Sequence, residues 1–201
     1  MTALALGGAS VDGGLYTSVT DLARHTPHAV NTLIAAWSDY GLALFAVLML
    51  AAWWRARRAG GTAIVRALAA PVIVVVCYAA DTLLKSAVDE QRPCRTLHAV
   101  TVEACPAAGD WSFPSNHAVI AAAAAITLIR VDRRLGLIAA PAALLMAASR
   151  VWIGVHYPHD VAVGLALGAG LAWCLVSLAD RAAPLVDRLA GTRLRPLVTA
   201  S

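Results

Sequence analysis

Residues 63–93 read AIVRALAAPVIVVVCYAADTLLKSAVDEQRP, and this stretch indicates the class of fold. Its first part, Ala63–Val88, is dominated by Ala, Val, Leu and Ile, and it exceeds the roughly 20 residues that a helix needs to cross a bilayer. In hydrocarbon, a single segment can satisfy its own backbone hydrogen bonds only as a helix. We therefore predict a membrane-spanning helix whose far end carries the cations Lys85 and Arg92.

The composition of the whole chain agrees with a membrane protein. Of its 201 residues, 60% are hydrophobic and 14% are charged, and the mean hydropathy is +0.70. Soluble domains carry roughly 45–50% apolar and about 25% charged residues. This composition excludes a disordered chain, a nucleic-acid-binding tail and an ordinary cytosolic enzyme.

Four further apolar blocks predict an all-α integral membrane protein, a bundle of about five transmembrane helices. These blocks are Asp39–Trp54, His117–Ile129, Leu135–Ala148 and Val161–Leu178. Along the chain we expect an N-terminal amphipathic segment at the membrane interface (residues 1–38), a transmembrane domain (residues 39–180) and a basic cytoplasmic tail (residues 181–201).

Basic residues predict which helix ends face the cytoplasm. They concentrate in the first connection, in the third connection and in the tail: Arg55, Arg57, Arg58, Arg66, Arg130, Arg133, Arg134, Arg181, Arg188, Arg193 and Arg195. Cytoplasmic loops of membrane proteins are enriched in Lys and Arg, so we place these regions and the C-terminus in the cytoplasm. The loop Asp89–Phe113 and the turn Ser149–Asp160 then face outward from a multi-pass protein of the cell membrane.

Three groups of polar residues fall at the outward helix ends: Lys85 with Arg92; Ser115 with Asn116 and His117; Arg150 with His156 and Asp160. Taken singly, each group has a structural explanation. Lys85 could pair with Asp81 one turn earlier, and Ser115 could cap a helix beside an interfacial histidine. An Asp at position 160 could simply begin a helix, and we take Tyr157 and His159 as structural neighbours.

Together, the groups favour a site for an oxyanion, above all a phosphate. The helix that starts after Ser115 offers free backbone amides and the positive end of its dipole. Asp160 can hold one nitrogen of His156, which leaves the other nitrogen free as a nucleophile or base. The positive charge of the site would come from Lys85, Arg92 and Arg150.

Two other classes stay open from the residues alone. An anion transporter would spread its cations through the depth of the membrane, whereas here they cluster at one face. A metal-dependent hydrolase could use His117, His156 and Asp160 as ligands, but three cations in the same pocket would repel a metal ion. We therefore expect no metal and no cofactor.

The combined motifs resemble those of a known family. Lys85-x6-Arg92-Pro93, Pro114-Ser115-Asn116-His117 and Ser149-Arg150-x5-His156-x3-Asp160 are similar to the three signature motifs of the type 2 phosphatidic acid phosphatases, in the acid phosphatase and vanadium haloperoxidase superfamily. Asn116 departs from the glycine that many members carry. The short five-helix layout is more similar to the bacterial undecaprenyl-pyrophosphate phosphatase branch.

The resemblance implies a metal-independent lipid phosphatase with a phosphohistidine intermediate. His156 would attack phosphorus while Asp160 orients it, and His117 would protonate the leaving oxygen and then activate water. The phosphoryl oxygens would be bound by Lys85, Arg92, Ser115, Asn116 and Arg150. Phosphate and vanadate are the expected inhibitory ligands.

The expected partner is a lipid phosphate in the bilayer, with undecaprenyl pyrophosphate as the first choice. Phosphatidic acid, phosphatidylglycerophosphate, or transfer of the phosphoryl group to an alcohol, fit the same motifs, because none of the motifs recognises the lipid tail. No nucleic-acid partner is expected.

Two cysteines, Cys94 and Cys105, bracket part of the outward loop. An oxidising outer compartment would allow them to form a disulfide beside Arg92. We expect such a closed loop to shape the entrance of the pocket.

Overall fold

The chain forms a bundle of helices in residues 7–182 and 184, the part that this computed structural model describes. The helices are α1 (Gly8–His25), α2 (His28–Tyr40), α3 (Leu42–Ala59), α4 (Gly61–Val88), α5 (Pro93–Thr96), α6 (Asn116–Val131), α7 (Arg133–Trp152) and α8 (Pro158–Ala179). The five predicted apolar blocks coincide largely with α3, α4, α6, α7 and α8. Residues 7–182 contain no strand, which confirms the all-α fold class.

Among the described residues, three helices are long and apolar enough to cross a membrane: α4, α7 and α8. Helices α2 and α3 together form a fourth candidate span, bent by 50° between them, and the apolar α6 is shorter. Large apolar side chains are exposed on the outside of the bundle, among them Val72, Leu83 and Leu144. Such exposure is expected of residues that face lipid. The chain is therefore a multi-pass membrane protein, and a count of five spans stays a prediction.

Helix α6 lies at the centre of the bundle because its middle turns carry the small side chain of alanine. Residues 121–125 are all alanine and all are buried, so neighbours approach this helix from every side. Those neighbours are α3, α4, α7 and α8. Small side chains allow this close packing, and van der Waals contact is a main source of helix association in a membrane.

Two glycines bring α8 against the first turns of α6. A Cβ at Gly164 would lie 2.9 Å from the carbonyl oxygen of Ser115, and a Cβ at Gly168 would lie 2.3 Å from that of Val119. Gly164 and Gly168 are four residues apart, the small-xxx-small spacing that lets helix backbones touch. This contact places the start of α8 beside the start of α6, where the Ser115 N–H donates to the carbonyl oxygen of Asp160 at 3.2 Å.

The N-terminal segment packs on the same end of the bundle. Tyr16 and Thr20 of α1 are buried, whereas Val11, Leu15 and Leu22 are exposed on its opposite side. Helix α2 crosses the predicted boundary at residue 38 and leads into α3 through the bend. An interfacial position for this segment stays a prediction.

Ion pairs join the helices at the opposite end of the bundle. Arg66 pairs with Asp180 at 2.7 Å, Arg130 approaches the same carboxylate at 3.2 Å, and Arg55 pairs with Asp132 at 2.7 Å. The predicted cytoplasmic connections therefore lie away from the end that carries Lys85 and Asp160. Most of the predicted basic tail, residues 183 and 185–201, lies outside the described residues.

The contact between α6 and α8 predicts a large effect of a single methyl group. We expect Gly168→Ala to destabilise the protein by about 1–3 kcal/mol, because the new Cβ overlaps the backbone of α6. Thermal unfolding in detergent would measure this as a lower Tm. Gly170→Ala is the matched control, since a Cβ there meets nothing within 4 Å. Equal Tm values for the two variants would contradict the close contact.

Candidate active site

Four helix ends and one turn bring the predicted residues to one end of the bundle. Lys85 lies in the last turn of α4, Ser115 directly precedes α6, and Arg150 lies in the last turn of α7. Asp160 lies in the first turn of α8, and His156 lies in the turn between α7 and α8. We refer to this end as the site end.

His156 and Asp160 form a buried pair at the centre of the site end. Nδ1 of His156 lies 3.3 Å from Oδ2 of Asp160. The same oxygen accepts the backbone N–H of Tyr157 at 2.8 Å and the hydroxyl of Ser112. A buried carboxylate needs such donors, because it has lost its contacts with water. These hydrogen bonds hold the Asp160 carboxylate in place, and the carboxylate in turn orients the His156 ring.

The second nitrogen of His156 faces Arg92. Nη1 of Arg92 lies 3.2 Å from Nε2 of His156, and a guanidinium can only donate hydrogen bonds. Nε2 therefore carries the lone pair, and the ring proton is on Nδ1, where it points at Asp160. Burial holds the pKa of His156 well below its usual range; Asp160 opposes this shift, and the charges of Arg92 and Arg150 add to it. The ring is neutral at pH 7 and presents a lone pair, as a nucleophile must.

Arg92 does not lie on the helix that carries Lys85, although we predicted both cations at the far end of one helix. A helix running on from Lys85 would align both cations, but α4 ends before Asp89, whose φ of 51° turns the chain away. Arg92 instead donates to the carbonyl oxygens of Asp110 and Val155, both at 2.9 Å. The loop contacts, not helical periodicity, place this guanidinium.

Lys85 does not form the pair with Asp81 that could have explained it structurally. Its ammonium donates to the carbonyl oxygen of Trp111 at 2.9 Å and to that of Ser112 at 3.4 Å. Asp81 is fully buried, and its carboxylate makes no hydrogen bond with the described residues. Lys85 is thus directed towards the loop that precedes α6.

Arg150 is held by a residue of α2. Its Nη1 donates to the hydroxyl of Ser38 at 2.7 Å, while its buried Nε has no hydrogen-bond partner in residues 7–182. The carboxylates of Glu103, Asp39 and Asp110 attract its positive charge. Arg150 therefore keeps a buried donor that a bound anion can satisfy.

The start of α6 offers further free polar groups. Ser115 occupies the N-cap position of α6 as predicted, and its side chain makes no capping hydrogen bond. Its hydroxyl is buried without a partner among the described residues, as is Oδ1 of Asn116. The side chain of Ser115 thus leaves the first amides of α6 free, which is the arrangement that binds phosphate at helix N-termini. His117 lies in this first turn.

The ligand set foreseen for a metal-dependent hydrolase is not assembled. Within residues 7–182, the candidate group of metal ligands consists of Glu90, His159 and Asp160. Each of these side chains offers one ligand atom, and the three atoms lie within 4.8 Å of one another. His117 and His156 are not part of it.

The sequence reasoning missed two residues that support the site, Ser112 and Ser38. Each is a lone serine with no motif of its own, and each acts on a predicted residue from a distant part of the chain. The closeness of Ser112 to the Pro114–His117 motif was the one available signal. Ser38 gave none, since only the fold brings α2 beside Arg150.

Cys94 and Cys105 are joined by a disulfide in the structure. The loop that it closes packs on the turn between α7 and α8: Glu103 donates its N–H to the carbonyl oxygen of Ile153 at 3.4 Å, and Thr101 lies against Gly154. This loop borders the turn that carries His156.

Comparison with known proteins agrees with the resemblance drawn from the motifs. A family model described as "PAP2 superfamily" matches residues 66–183, which include every predicted site residue. A solved structure, the transmembrane PAP2-type phosphatidylglycerolphosphate phosphatase of Bacillus subtilis, has the same fold with a TM-score of 0.54. It is 21% identical, and the match covers 84% of this chain and 86% of that one.

Two curated relatives are named as phosphatases of polyprenyl lipids. The chain is 45% identical over 96 residues to decaprenylphosphoryl-5-phosphoribose phosphatase of Mycobacterium tuberculosis, which is 47% of this chain and 50% of that protein. It is 25% identical over 175 residues to undecaprenyl-diphosphatase BcrC of Bacillus subtilis, which is 86% of each chain. The chain thus spans half the length of the mycobacterial relative and most of the other.

Because Nε of Arg150 has no hydrogen-bond partner in the described part of the chain, we expect Arg150 to contribute to oxyanion binding. We expect Arg150→Ala to weaken binding of orthovanadate by about 2 kcal/mol, or roughly thirtyfold in Kd, because a charge-assisted hydrogen bond is lost. Isothermal titration calorimetry in detergent would measure the change. Arg24→Ala is the control, since Arg24 is exposed on α1. An unchanged Kd in Arg150→Ala would remove Arg150 from the site.

Proposed function

The chain belongs to the PAP2 superfamily, and from this premise we propose that it is a metal-independent membrane lipid phosphatase that works through a phosphohistidine on His156. The observation that carries this proposal is the state of His156: a neutral ring, with Nδ1–H directed at Asp160 and the lone pair of Nε2 beside a guanidinium. Any phosphoryl group that bonds to Nε2 comes within reach of Arg92.

In the first step, Nε2 of His156 attacks phosphorus, and the bond from phosphorus to the leaving oxygen breaks. His117 donates the proton that the leaving oxygen needs. The His156 ring becomes positively charged, and the buried carboxylate of Asp160 stabilises that charge through Nδ1–H.

In the second step, His117 takes a proton from a water molecule that attacks the phosphohistidine. Inorganic phosphate leaves, and the neutral ring of His156 is restored. An alcohol in place of water would make the same protein a phosphotransferase.

The phosphoryl oxygens are bound by groups that have donors to offer. Lys85, Arg92 and Arg150 supply positive charge, and the Ser115 hydroxyl and the backbone amide of Asn116 supply further hydrogen bonds. These donors stabilise the negative charge that spreads over the phosphoryl oxygens in the transition state. Asn116 serves here without being glycine, because the amide belongs to the first helical residue of α6.

The substrate that we favour is undecaprenyl pyrophosphate, hydrolysed to the monophosphate. Both curated relatives described above are named for polyprenyl lipids, and BcrC matches over most of its length. A site at the ends of membrane helices can receive a headgroup while the tail stays in the bilayer. Phosphatidic acid and phosphatidylglycerophosphate are the alternatives, and the likeness to the solved phosphatidylglycerolphosphate phosphatase supports the fold only.

The site end faces outward from the cell membrane in this proposal, with the C-terminus in the cytoplasm. The basis is the concentration of arginines in the two connections at the opposite end and in the tail.

The proposal predicts phosphate release by the purified protein in excess EDTA. The panel would contain undecaprenyl pyrophosphate, undecaprenyl phosphate, phosphatidic acid and phosphatidylglycerophosphate. We expect His156→Ala to lower kcat by about four orders of magnitude or more, as loss of a nucleophile does. His28→Ala is the control, because His28 is exposed at the start of α2.

Release that survives in His156→Ala would contradict the role of His156 as nucleophile. Release that needs an added metal ion would contradict the metal-independent mechanism. A clear preference within the panel identifies the headgroup, and no release from any lipid would contradict the hydrolase.

A further inference from the structure

A second ionic cluster lies directly behind Asp160, and its centre is His159. Nδ1 of His159 lies 2.8 Å from a carboxylate oxygen of Asp12. Nε2 lies 3.1 and 3.2 Å from the two carboxylate oxygens of Glu90, and 3.4 Å from Oδ1 of Asp160. His159 is thus more than the structural neighbour that the sequence suggested, since it contacts the carboxylate that orients His156.

Both ring nitrogens of His159 face carboxylates. Ionised carboxylates only accept hydrogen bonds, so the arrangement is satisfied when both nitrogens carry protons and the ring is positively charged. Glu90 is almost fully buried, and an unpaired carboxylate in that position would be strongly unfavourable. The charged ring therefore holds Asp12 and Glu90 together, although they come from different parts of the chain.

Asp12 also acts on the backbone of α8. Its Oδ2 accepts the backbone N–H of His159 at 2.7 Å. That N–H is one of the first-turn donors that a helix cannot satisfy internally. Asp12 thus works as a capping residue supplied by another helix, with one oxygen on the backbone of His159 and the other on its ring.

The shape of α1 is suited to this role. Asp12 has a non-helical conformation inside α1 (φ −145°, ψ 25°), so the helix bends at the residue that reaches α8. Helix α1 also contacts the rest of the bundle four residues before Asp12 and four residues after it. Gly8 lies so close to Glu90 and Tyr157 that a Cβ would overlap both, and Tyr16 donates its hydroxyl to the carbonyl oxygen of Gly154 at 2.8 Å.

We propose that Asp12 is a positioning residue for the reaction proposed above: through His159 and Glu90 it fixes the first turn of α8, and with it the alignment of Asp160 on His156. This inference rests on the proposed function. It makes α1 part of the catalytic apparatus, although Asp12 lies outside residues 66–183, the part of the chain that the family model matches. Small displacements of a catalytic group are enough to lower kcat strongly.

The test compares Asp12→Asn with Asp21→Asn in the full-length protein. An asparagine at position 12 keeps an oxygen for the N–H of His159 but removes the charge that pairs with its ring. Asp21 is an exposed aspartate of the same helix, whose neighbours are the exposed Arg24 and His25. The two variants therefore change the net charge equally, and only one of them contacts the site.

Two quantities are measured for each protein: kcat and KM for undecaprenyl pyrophosphate, and the Kd of orthovanadate by calorimetry. Orthovanadate mimics five-coordinate phosphorus on the nucleophile, so its affinity depends on the alignment of His156 without any turnover. In Asp12→Asn we expect kcat to fall by about tenfold or more and vanadate to bind about tenfold more weakly, with KM within about twofold of wild type. Asp21→Asn should match wild type.

The outcomes separate the two proposals. Equal kcat and equal Kd in Asp12→Asn and Asp21→Asn overturn the role of Asp12, and so does a change confined to KM, which would indicate a substrate contact. If Asp12→Asn does not fold, Glu90→Gln replaces it as the test variant. Glu90→Gln weakens the contact of His159 at its other nitrogen, so we expect the same losses of kcat and of vanadate affinity. If the wild-type protein binds vanadate but hydrolyses no lipid, the proposed function is contradicted. The Kd values of the variants for vanadate then still test the positioning role of Asp12. A wild-type protein that does not bind vanadate overturns both.

Discussion

The hydrogen bond between the Asp160 carboxylate and Nδ1 of His156 is the interaction on which the other features of the site depend. Burying a carboxylate costs free energy that hydrogen-bond donors offset, and the donors to Oδ2 of Asp160 come from separate parts of the chain. The loop before α6 supplies Ser112, and the turn before α8 supplies Tyr157. The glycines of α8 and the alanines of α6 make this convergence possible, because they let the two helix starts approach each other.

Charge is distributed unequally around His156. The guanidinium of Arg92 lies at Nε2, and the carboxylate of Asp160 lies at Nδ1. Lys85 and Arg150 belong to the same site end, as do buried donors that have no partner in the described part of the chain. An oxyanion is therefore attracted to the side of the Nε2 lone pair, and a positive charge that forms on the ring is stabilised from behind.

Much of this architecture follows from the sequence, and the exceptions have physical reasons. The apolar blocks indicate the helices because lipid permits few other structures, and the spacing of His156 and Asp160 was informative because a helix starts between them. Arg92 was harder, since α4 stops at Asp89 and loop carbonyls position the guanidinium. Asp12 was out of reach: the buried face of α1 includes a glycine, a tyrosine and a threonine, so hydrophobic periodicity does not reveal it. The pairing of Glu90 with His159 likewise depends on a long-range contact that no local pattern encodes.

Trapping the covalent intermediate is the most direct test of His156 as the nucleophile. The protein would be mixed with radiolabelled undecaprenyl pyrophosphate, quenched in alkali, where phosphohistidine is stable, and digested for peptide mass spectrometry. We expect one phosphorylated peptide, with the phosphoryl group on His156. A phosphoryl group on another residue, or phosphate released without any phosphorylated peptide, would contradict the role of His156 as nucleophile.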